Sequence, residues 1–208
     1  MPIKAVIFDM DGTLVEAKDW HYHALNEALE IFGASISREE HETAFDGLPP
    51  KVKLKFLNEA SRIPAHLNST ISAIKQERTL REIARECYPR VEHLLMMSWL
   101  KERGFKIAVA TNSIRATAEV MLRSAGILGY LDALVTNEDV IASKPDPEMY
   151  ILTAMKLGVE SAECLVVEDH EYGLRAAELA GCRFVKVDSV EMLTTQFLEQ
   201  RLKAEVEP

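Results

Sequence analysis

Short apolar runs, each followed by polar residues, recur along the chain and predict buried strands. The first run covers residues 5–8 and stops at Asp9. An apolar run of this length without alternation is typical of a strand that is buried on both faces. Later segments of the same kind cover residues 106–110, 133–135, 164–167 and 184–187. The pattern therefore predicts a sheet whose strands are spread over the length of the chain.

Helical patterns separate the later runs, and several of these helices end at a glycine. The glycines are Gly104, Gly126, Gly158 and Gly181. Glycine just past the last helical turn is the favoured left-handed cap. Strands that alternate with helices imply crossover connections and a mostly parallel sheet. The predicted fold class is α/β, a Rossmann-like parallel sheet with helices on both faces.

Residues 16–87 break this alternation because they contain amphipathic stretches and no convincing strand. Ser37 and Glu40 match a capping box at a helix start, and residues 46–50, which end in paired prolines, predict a turn or loop. We interpret residues 16–87 as a small α-helical cap domain. The cap is inserted into a core domain that consists of residues 1–15 and 88–208.

The charge balance excludes several kinds of partner. The 208 residues include 24 Lys and Arg against 33 Asp and Glu, a net charge of −9. Without a basic stripe, the chain cannot offset repulsion from phosphate backbones or anionic lipids. We therefore expect no nucleic acid and no membrane partner.

Cysteine usage and the first residues bear on cellular location. Cys87, Cys164 and Cys182 are odd in number and widely spaced, which favours reduced thiols over a disulfide framework. The N-terminal segment has no apolar signal region and no stretch approaches a membrane span. We expect a cytoplasmic protein, a monomer with a dimer as the alternative.

Polar residues follow the predicted strands at one edge of the predicted sheet. In open α/β sheets, ligands bind beyond the carboxyl ends of the strands. The residues placed there are Asp9 and Asp11 after the first strand, Thr111 and Asn112 after the second, Lys144 in the loop after the third, and Glu168 and Asp169 after the fourth.

This set of residues predicts metal-assisted phosphoryl transfer. Clustered carboxylates repel one another, and a hard divalent cation held by oxygen ligands, Mg²⁺ above all, offsets that repulsion. Gly12 permits close backbone approach, while Thr111 and Asn112 offer a hydroxyl and backbone amides to an anion. Lys144 supplies a positive charge. Charge neutralisation, positioning and a proton donor are what transfer of a phosphoryl group to a carboxylate requires.

Four motifs, in the order in which they occur along the chain, resemble those of a known family. They read IFDMDGTL at 7–14, VATNS at 109–113, SKPDP at 143–147 and VVED at 166–169. The chain resembles the haloacid dehalogenase superfamily, in the capped branch that includes phosphatases and β-phosphoglucomutase. The resemblance spans nearly the whole chain, although within the cap it is mostly architectural.

The resemblance implies a role for each motif residue. Asp9 would be the nucleophile that forms an aspartyl-phosphate, and Asp11 the general acid and base. Thr111 and Lys144 would hold the transferring phosphoryl group. The magnesium ligands that the resemblance implies are Asp9, Asp11 through its backbone carbonyl, Asp169 and, in or beside that shell, Glu168.

Substrate contacts are predicted at Gly12 and Asn112 in the core and at two cap positions. His21 lies where related enzymes often carry a histidine that faces the cleft; the alternative is an ordinary half-exposed helix histidine. Lys51 follows a loop that often gates the site in relatives; the alternative is a solvated basic face shared with Lys53 and Lys55.

The function that follows is a magnesium-dependent phosphatase for a small phosphorylated metabolite, with a sugar phosphate as the first expectation. Asp11 favours a phosphatase over a dehalogenase, because an alkoxide leaving group needs a proton. The alternatives are a phosphomutase that resembles β-phosphoglucomutase, although Pro49, Pro50 and Lys51 replace its cationic arginine, and a non-catalytic binding module on the same fold. Phosphonate hydrolysis would need a cap lysine that forms a Schiff base, for which Lys51 and Lys53 are available.

Overall fold

A computed structural model of the chain describes residues 1–204, so that the last residues of the predicted core segment, 205–208, lie outside it. The chain divides into two compact units. The core unit contains Met1–Glu16 and the chain from Tyr88 onward, and the cap unit is Ala17–Cys87.

The core unit contains a sheet of five parallel strands within the described residues. Their bounds are Ala5–Phe8 (β1), Lys106–Ala110 (β2), Ala133–Val135 (β3), Cys164–Glu168 (β4) and Arg183–Lys186 (β5). The strand order is β3-β2-β1-β4-β5. The α/β fold class predicted from the apolar runs is confirmed, and the predicted strand bounds are correct to within one residue.

The first strand lies at the centre of the sheet and is completely buried. Phe8 is paired with Val109 of β2 on one side and with Val167 of β4 on the other. All four residues of β1 are shielded from solvent, which is why the strand shows no polar alternation. Because every strand is parallel, the carboxyl ends of β1, β2 and β4 meet at one edge.

Helices complete both units. The cap contains Lys18–Glu30 (α1), Arg38–Glu40 (α2), Pro50–Glu59 (α3) and Asn68–Glu86 (α4), and the core contains Val91–Glu102 (α5), Arg115–Ser124 (α6), Glu148–Leu157 (α7), Glu171–Leu179 (α8) and Thr195–Ala204 (α9). A π-helical turn, His41–Phe45, follows α2. None of the described helices has the length and apolar character needed to cross a membrane.

The cap unit has its own small apolar core. Its buried residues are Leu25, Ala28, Leu29, Ile36, Phe45, Leu54, Leu57, Ile63 and Ile71. The predicted capping box is confirmed: Ser37 Oγ accepts the backbone N–H of Glu40, whose carboxylate accepts the N–H of Ser37.

One local prediction in the cap is wrong by a residue. Pro50 was expected in the loop, but it is the first residue of α3. Proline suits this position because the first helical N–H has no partner inside the helix and the ring holds φ near the helical value.

Candidate active site

Asp9 leaves the central strand as a buried carboxylate. Its backbone N–H donates to the carbonyl of Val167 at 2.9 Å, which extends the β1–β4 pairing past the end of the strand. The residue is 7% exposed. Burial, together with the neighbouring charge of Glu168, raises the pKa of the Asp9 carboxyl well above its usual range. Asp9 is therefore held rigidly in a place where its negative charge needs a cation nearby.

Lys144 supplies that cation from the loop after β3. Its Nζ lies 2.6 Å from Asp9 Oδ1 and 3.2 Å from Glu168 Oε1. Although burial alone would lower the pKa of Lys144, the charges of Asp9 and Glu168 raise it well above its ordinary value. Lys144 therefore stays charged and joins the ends of β1 and β4 through one buried ammonium group.

Two features of α7 hold Lys144 in place. The Glu148 carboxylate accepts the backbone N–H groups of Ile141 and Ala142 at 3.0 and 2.8 Å, which closes the loop that carries the lysine. The ring of Tyr150 lies beneath the ammonium group, with its centroid 4.9 Å from Nζ. Sequence reasoning missed Tyr150, because an aromatic residue on an apolar helix face is indistinguishable from ordinary core.

Glu168 is turned towards Lys144 and packed against the start of α8. Its Oε2 accepts the backbone N–H of Asp169 at 3.1 Å, while Oε1 faces Lys144. Burial, partly offset by Lys144, raises the pKa of the Glu168 carboxyl. The side chain occupies the space where a Cβ on Gly173 would be, since that atom would lie 1.6 Å from Glu168 Oε1. Sequence reasoning did not assign a role to Gly173, because the absence of a side chain shows its effect only once α8 is packed against Glu168.

Three carboxylates at this edge could hold a cation together. Asp9, Glu168 and Asp169 each offer an oxygen, and these oxygens lie within 4.8 Å of one another. Thr13 Oγ1 donates to Asp169 Oδ1 at 3.3 Å, which orients that carboxylate. All of the donor atoms are oxygens, and the three carboxylates carry more negative charge than the one positive charge of Lys144 can offset. Both features fit a hard divalent ion such as Mg²⁺.

Asp11 lies two residues beyond Asp9 but has different partners. Ser113 Oγ donates to Asp11 Oδ2 at 2.8 Å, and Thr111 Oγ1 lies 3.4 Å from the same oxygen. The Asp11 carboxylate is therefore not among the three that form the acidic cluster, and only its backbone carbonyl remains as the proposed metal ligand. The two aspartates occupy separate environments, which is what different chemical roles require.

The backbone around Asp11 turns sharply at Gly12. Gly12 has φ of +92°, a conformation that residues with a side chain rarely adopt. Its N–H donates to the carbonyl of Val15 at 2.8 Å, so this amide already has a partner within the turn. The predicted contact between substrate and Gly12 therefore depends on the substrate approaching the backbone closely, and not on the N–H of Gly12.

Thr111 and Asn112 follow β2 as predicted. Thr111 is buried, and its N–H donates to Val135 of β3 at 3.0 Å. Its Oγ1 accepts the N–H of Ser113 at 3.0 Å, so the two hydroxyl residues and Asp11 form one connected group. Asn112 is partly buried beside them. Ser113 belongs to the second motif, but its contact with Asp11 depends on a rotamer that sequence alone does not determine.

The predicted cap residues, His21 and Lys51, belong to the other unit. The Nδ1 atom of His21, on α1, lies 3.2 Å from Lys75 Nζ on α4. Lys51 is exposed on α3, whereas Lys53 on the same helix is buried. The two predicted cap contacts with substrate stay predictions.

Gly173→Ala is expected to displace Glu168 and weaken the site. The new methyl group cannot share space with the Glu168 carboxylate, so the contact with Lys144 lengthens. Groups that orient a metal site or its ligands are worth about 10- to 100-fold in activity or metal affinity. Steady-state phosphate release, titrated with Mg²⁺, measures both quantities.

Gly129→Ala is the matched control for that change, because a Cβ at Gly129 meets nothing within 4 Å. Wild-type turnover and Mg²⁺ activation in Gly173→Ala would show that the position of Glu168 does not matter to the site.

The family of the chain follows from comparison with known proteins. The model of haloacid dehalogenase-like hydrolases matches residues 6–187, so this chain belongs to that family of hydrolases. Members of the family generally use Mg²⁺, which agrees with the acidic cluster of Asp9, Glu168 and Asp169.

Individual relatives are phosphatases by name. The phosphorylated carbohydrates phosphatase of Thermotoga maritima is 32% identical over 181 residues, which cover 86% of this chain and 82% of the relative. The fructose-1-phosphate phosphatase YqaB of Escherichia coli is 32% identical over 185 residues, which cover 88% and 95%. The crystal structure of CbbY from Rhodobacter sphaeroides in complex with phosphate superposes with a TM-score of 0.82 at 27% identity, covering 95% of this chain and 99% of CbbY.

Proposed function

We propose that this chain is a magnesium-dependent phosphatase that hydrolyses a small sugar phosphate through a phosphorylated Asp9. The observation that carries the proposal is the separation of the two aspartates. Asp9 is paired with buried Lys144, while Asp11 is held apart by Ser113. One carboxylate is thus arranged as an anion and the other as a group that can exchange a proton.

In the first step, Asp9 attacks phosphorus and the bond from phosphorus to the ester oxygen breaks. Asp11 gives its proton to the departing oxygen, because an alkoxide leaves poorly without one. The Lys144 ammonium group lowers the pKa of Asp9 against the effect of burial and so favours the carboxylate. With the Thr111 hydroxyl, it also stabilises the charge on the transferring oxygens. Asn112 and the backbone at Gly12 complete the proposed phosphoryl contacts.

In the second step, water attacks the phosphorylated Asp9 and Asp11 takes a proton from that water. The bond between the Asp9 oxygen and phosphorus breaks, which releases inorganic phosphate and restores both carboxyl groups. The proposed magnesium ligands are Asp9, Glu168, Asp169 and the backbone carbonyl of Asp11. A bound Mg²⁺ supplies positive charge to the phosphoryl oxygens.

The substrate class rests on the relatives. The Thermotoga protein is named for phosphorylated carbohydrates and the E. coli protein for fructose 1-phosphate. Because both align with more than four fifths of this chain at 32% identity, we extend the class of sugar monophosphates to it.

Phosphate release from a panel of sugar monophosphates, in Mg²⁺ and in EDTA, tests the proposal. The expected result is Mg²⁺-dependent release from one or a few members. The panel also includes phosphorylated hydroxy acids and nucleotides, which are phosphate monoesters but not simple sugar phosphates. Release from those alone would reject the sugar class.

Absence of release over the whole panel would contradict the phosphatase. The same panel with a sugar bisphosphate as activator then tests isomer interconversion, the reaction expected of a phosphomutase. Absence of both activities would leave a binding module as the remaining function.

Asp11→Asn is expected to separate good from poor leaving groups. The asparagine oxygen can still accept the Ser113 hydroxyl, so the geometry is largely kept, but the group has no proton to give. Loss on a sugar phosphate should reach about 10²- to 10⁴-fold, with a much smaller loss on p-nitrophenyl phosphate. Equal losses in kcat on both substrates would contradict the general-acid role.

A further inference from the structure

Two of the three cysteines lie opposite each other in the core unit. Leu165 of β4 is paired with Arg183 of β5 in parallel register. Cys164 and Cys182 are the residues that precede this pair, so they stand opposite each other at the amino ends of the two strands. Neighbouring strands are about 4.8 Å apart, and disulfides join Cα atoms about 4.4–6.8 Å apart. The backbone is therefore already placed for a bond between these residues.

The side chains also share one environment. Both residues belong to the same buried apolar cluster, which shows that they project to the same face of the sheet. The Cys164 thiol donates to the backbone carbonyl of Glu160 at 3.5 Å, and the two thiols are close enough for each to shift the pKa of the other. Cys182 is 6% exposed beside the edge strand, while Cys164 is fully covered. Of the two sulfurs, Cys182 is therefore the one that a small reagent reaches first.

We propose that Cys164 and Cys182 are a modification site, a dithiol that a hydroperoxide converts to a disulfide in the folded protein. The site lies at the amino ends of β4 and β5, away from the carboxyl ends that carry the acidic residues. It is therefore separate from the proposed phosphatase chemistry.

The order of reaction follows first from exposure, because Cys182 is 6% exposed and Cys164 is fully covered, and the thiol environments agree with that order. Hydrogen bonds from Cys164 and Ser161 lower the pKa of Cys182 despite its burial, whereas the bond to Cys182 and burial raise the pKa of Cys164. The thiolate is the reactive form of cysteine. Cys182 is accordingly the attacking group and Cys164 the resolving group.

The reaction balances with one peroxide. The Cys182 thiolate attacks a peroxide oxygen, the O–O bond breaks, and Cys182 sulfenic acid and hydroxide form. The Cys164 sulfur then attacks the Cys182 sulfur and displaces a second hydroxide. The two hydroxides take up the two thiol protons. Two thiols and one hydrogen peroxide thus give one disulfide and two waters.

The third cysteine serves as an internal control. Cys87 belongs to the cap unit, and burial raises the pKa of its thiol to about 11. Although Cys87 is more exposed than Cys182, little of its thiol is ionised at neutral pH, so it is expected to react more slowly than Cys182 in the same molecule and under the same conditions.

The test is mass spectrometry of the full chain after brief exposure to hydrogen peroxide, removal of the peroxide, denaturation and alkylation. The expected product has lost two hydrogens, carries a single alkyl group at Cys87, and yields a peptide that links Cys164 with Cys182. Dithiothreitol should reverse the change. The oxidised chain should also melt at a higher temperature than the reduced chain, because the bond restricts the unfolded state.

Two variants locate the steps. In Cys164→Ala, Cys182 should stop as a sulfenic acid that dimedone captures, and in Cys182→Ala no crosslink should form. Alkylation of all three thiols after peroxide, or oxidation of Cys87 before the pair, would overturn the proposal in the wild-type protein even if neither variant folds.

Discussion

Asp9→Asn is expected to abolish turnover, with kcat reduced on the order of 10⁴-fold or more, the scale seen when a catalytic nucleophile is removed. An amide oxygen is a poor nucleophile and cannot form a stable link to phosphorus. The fold should persist, because Lys144 keeps Glu168 as a partner at 3.2 Å. Rapid-quench experiments that look for acid-stable, hydroxylamine-sensitive phosphoprotein measure the step directly.

The matched control for this change is Asp146→Asn. Asp146 is an exposed aspartate near Lys144 whose oxygen accepts the N–H of Glu148, a contact that asparagine retains. Wild-type protein and the control should both accumulate the phosphoprotein, and Asp9→Asn should not. Phosphoprotein in Asp9→Asn at the wild-type level would assign the nucleophile to another residue.

The fold could be predicted closely from the chain because its strands are buried on both faces. Such strands leave a short contiguous apolar run with abrupt polar ends, as at Ala5–Phe8, where all four residues are buried. The cap was harder. Lys51, Lys53 and Lys55 alternate along one short helix, and which of them is buried depends on the helix phase set by Leu54 and Leu57. That phase could have been derived from the apolar spacing, and it marks Lys53 as the buried lysine.

The proximity of Asp9, Lys144 and Glu168 could be predicted because it depends only on topology. Each of these residues ends a parallel strand or follows one, so the sheet brings them to one edge. The contacts of Tyr150 and Gly173 could not be predicted. The first needs the orientation of α7 under Lys144, and the second is the absence of a side chain where Glu168 lies. Both depend on how helices pack against the sheet, which a single sequence does not encode locally.

Lys144→Met is expected to lower both activity and stability. The change keeps the length of the side chain but removes the ammonium group that is paired with both Asp9 and Glu168. Removing one partner of a buried ion pair costs about 3–5 kcal/mol in the free energy of unfolding, and proton uptake by the two carboxylates reduces that cost. We expect a loss near the lower end, about 3 kcal/mol, together with loss of phosphoryl transfer on the order of 10³-fold.

A second lysine separates the effect of burial from that of pairing. Lys101 lies 2.7 Å from Asp132, nearly the distance of the Lys144 pair, but both side chains are more than a third exposed. Pairs of that kind contribute about 0–1 kcal/mol. Urea unfolding of Lys101→Met should therefore show a small change beside the large one of Lys144→Met.

The double variant Lys144→Met/Asp9→Asn decides whether unpaired charge is the cause. If repulsion between buried carboxylates destabilises Lys144→Met, neutralising Asp9 should restore part of the lost free energy of unfolding while activity stays absent. Additive losses in the double variant would instead assign the destabilisation to lost packing against Tyr150. The expected result is recovery of stability without recovery of turnover. Neutralising Asp9 removes the repulsion that the missing Lys144 would have offset, but it also removes the proposed nucleophile.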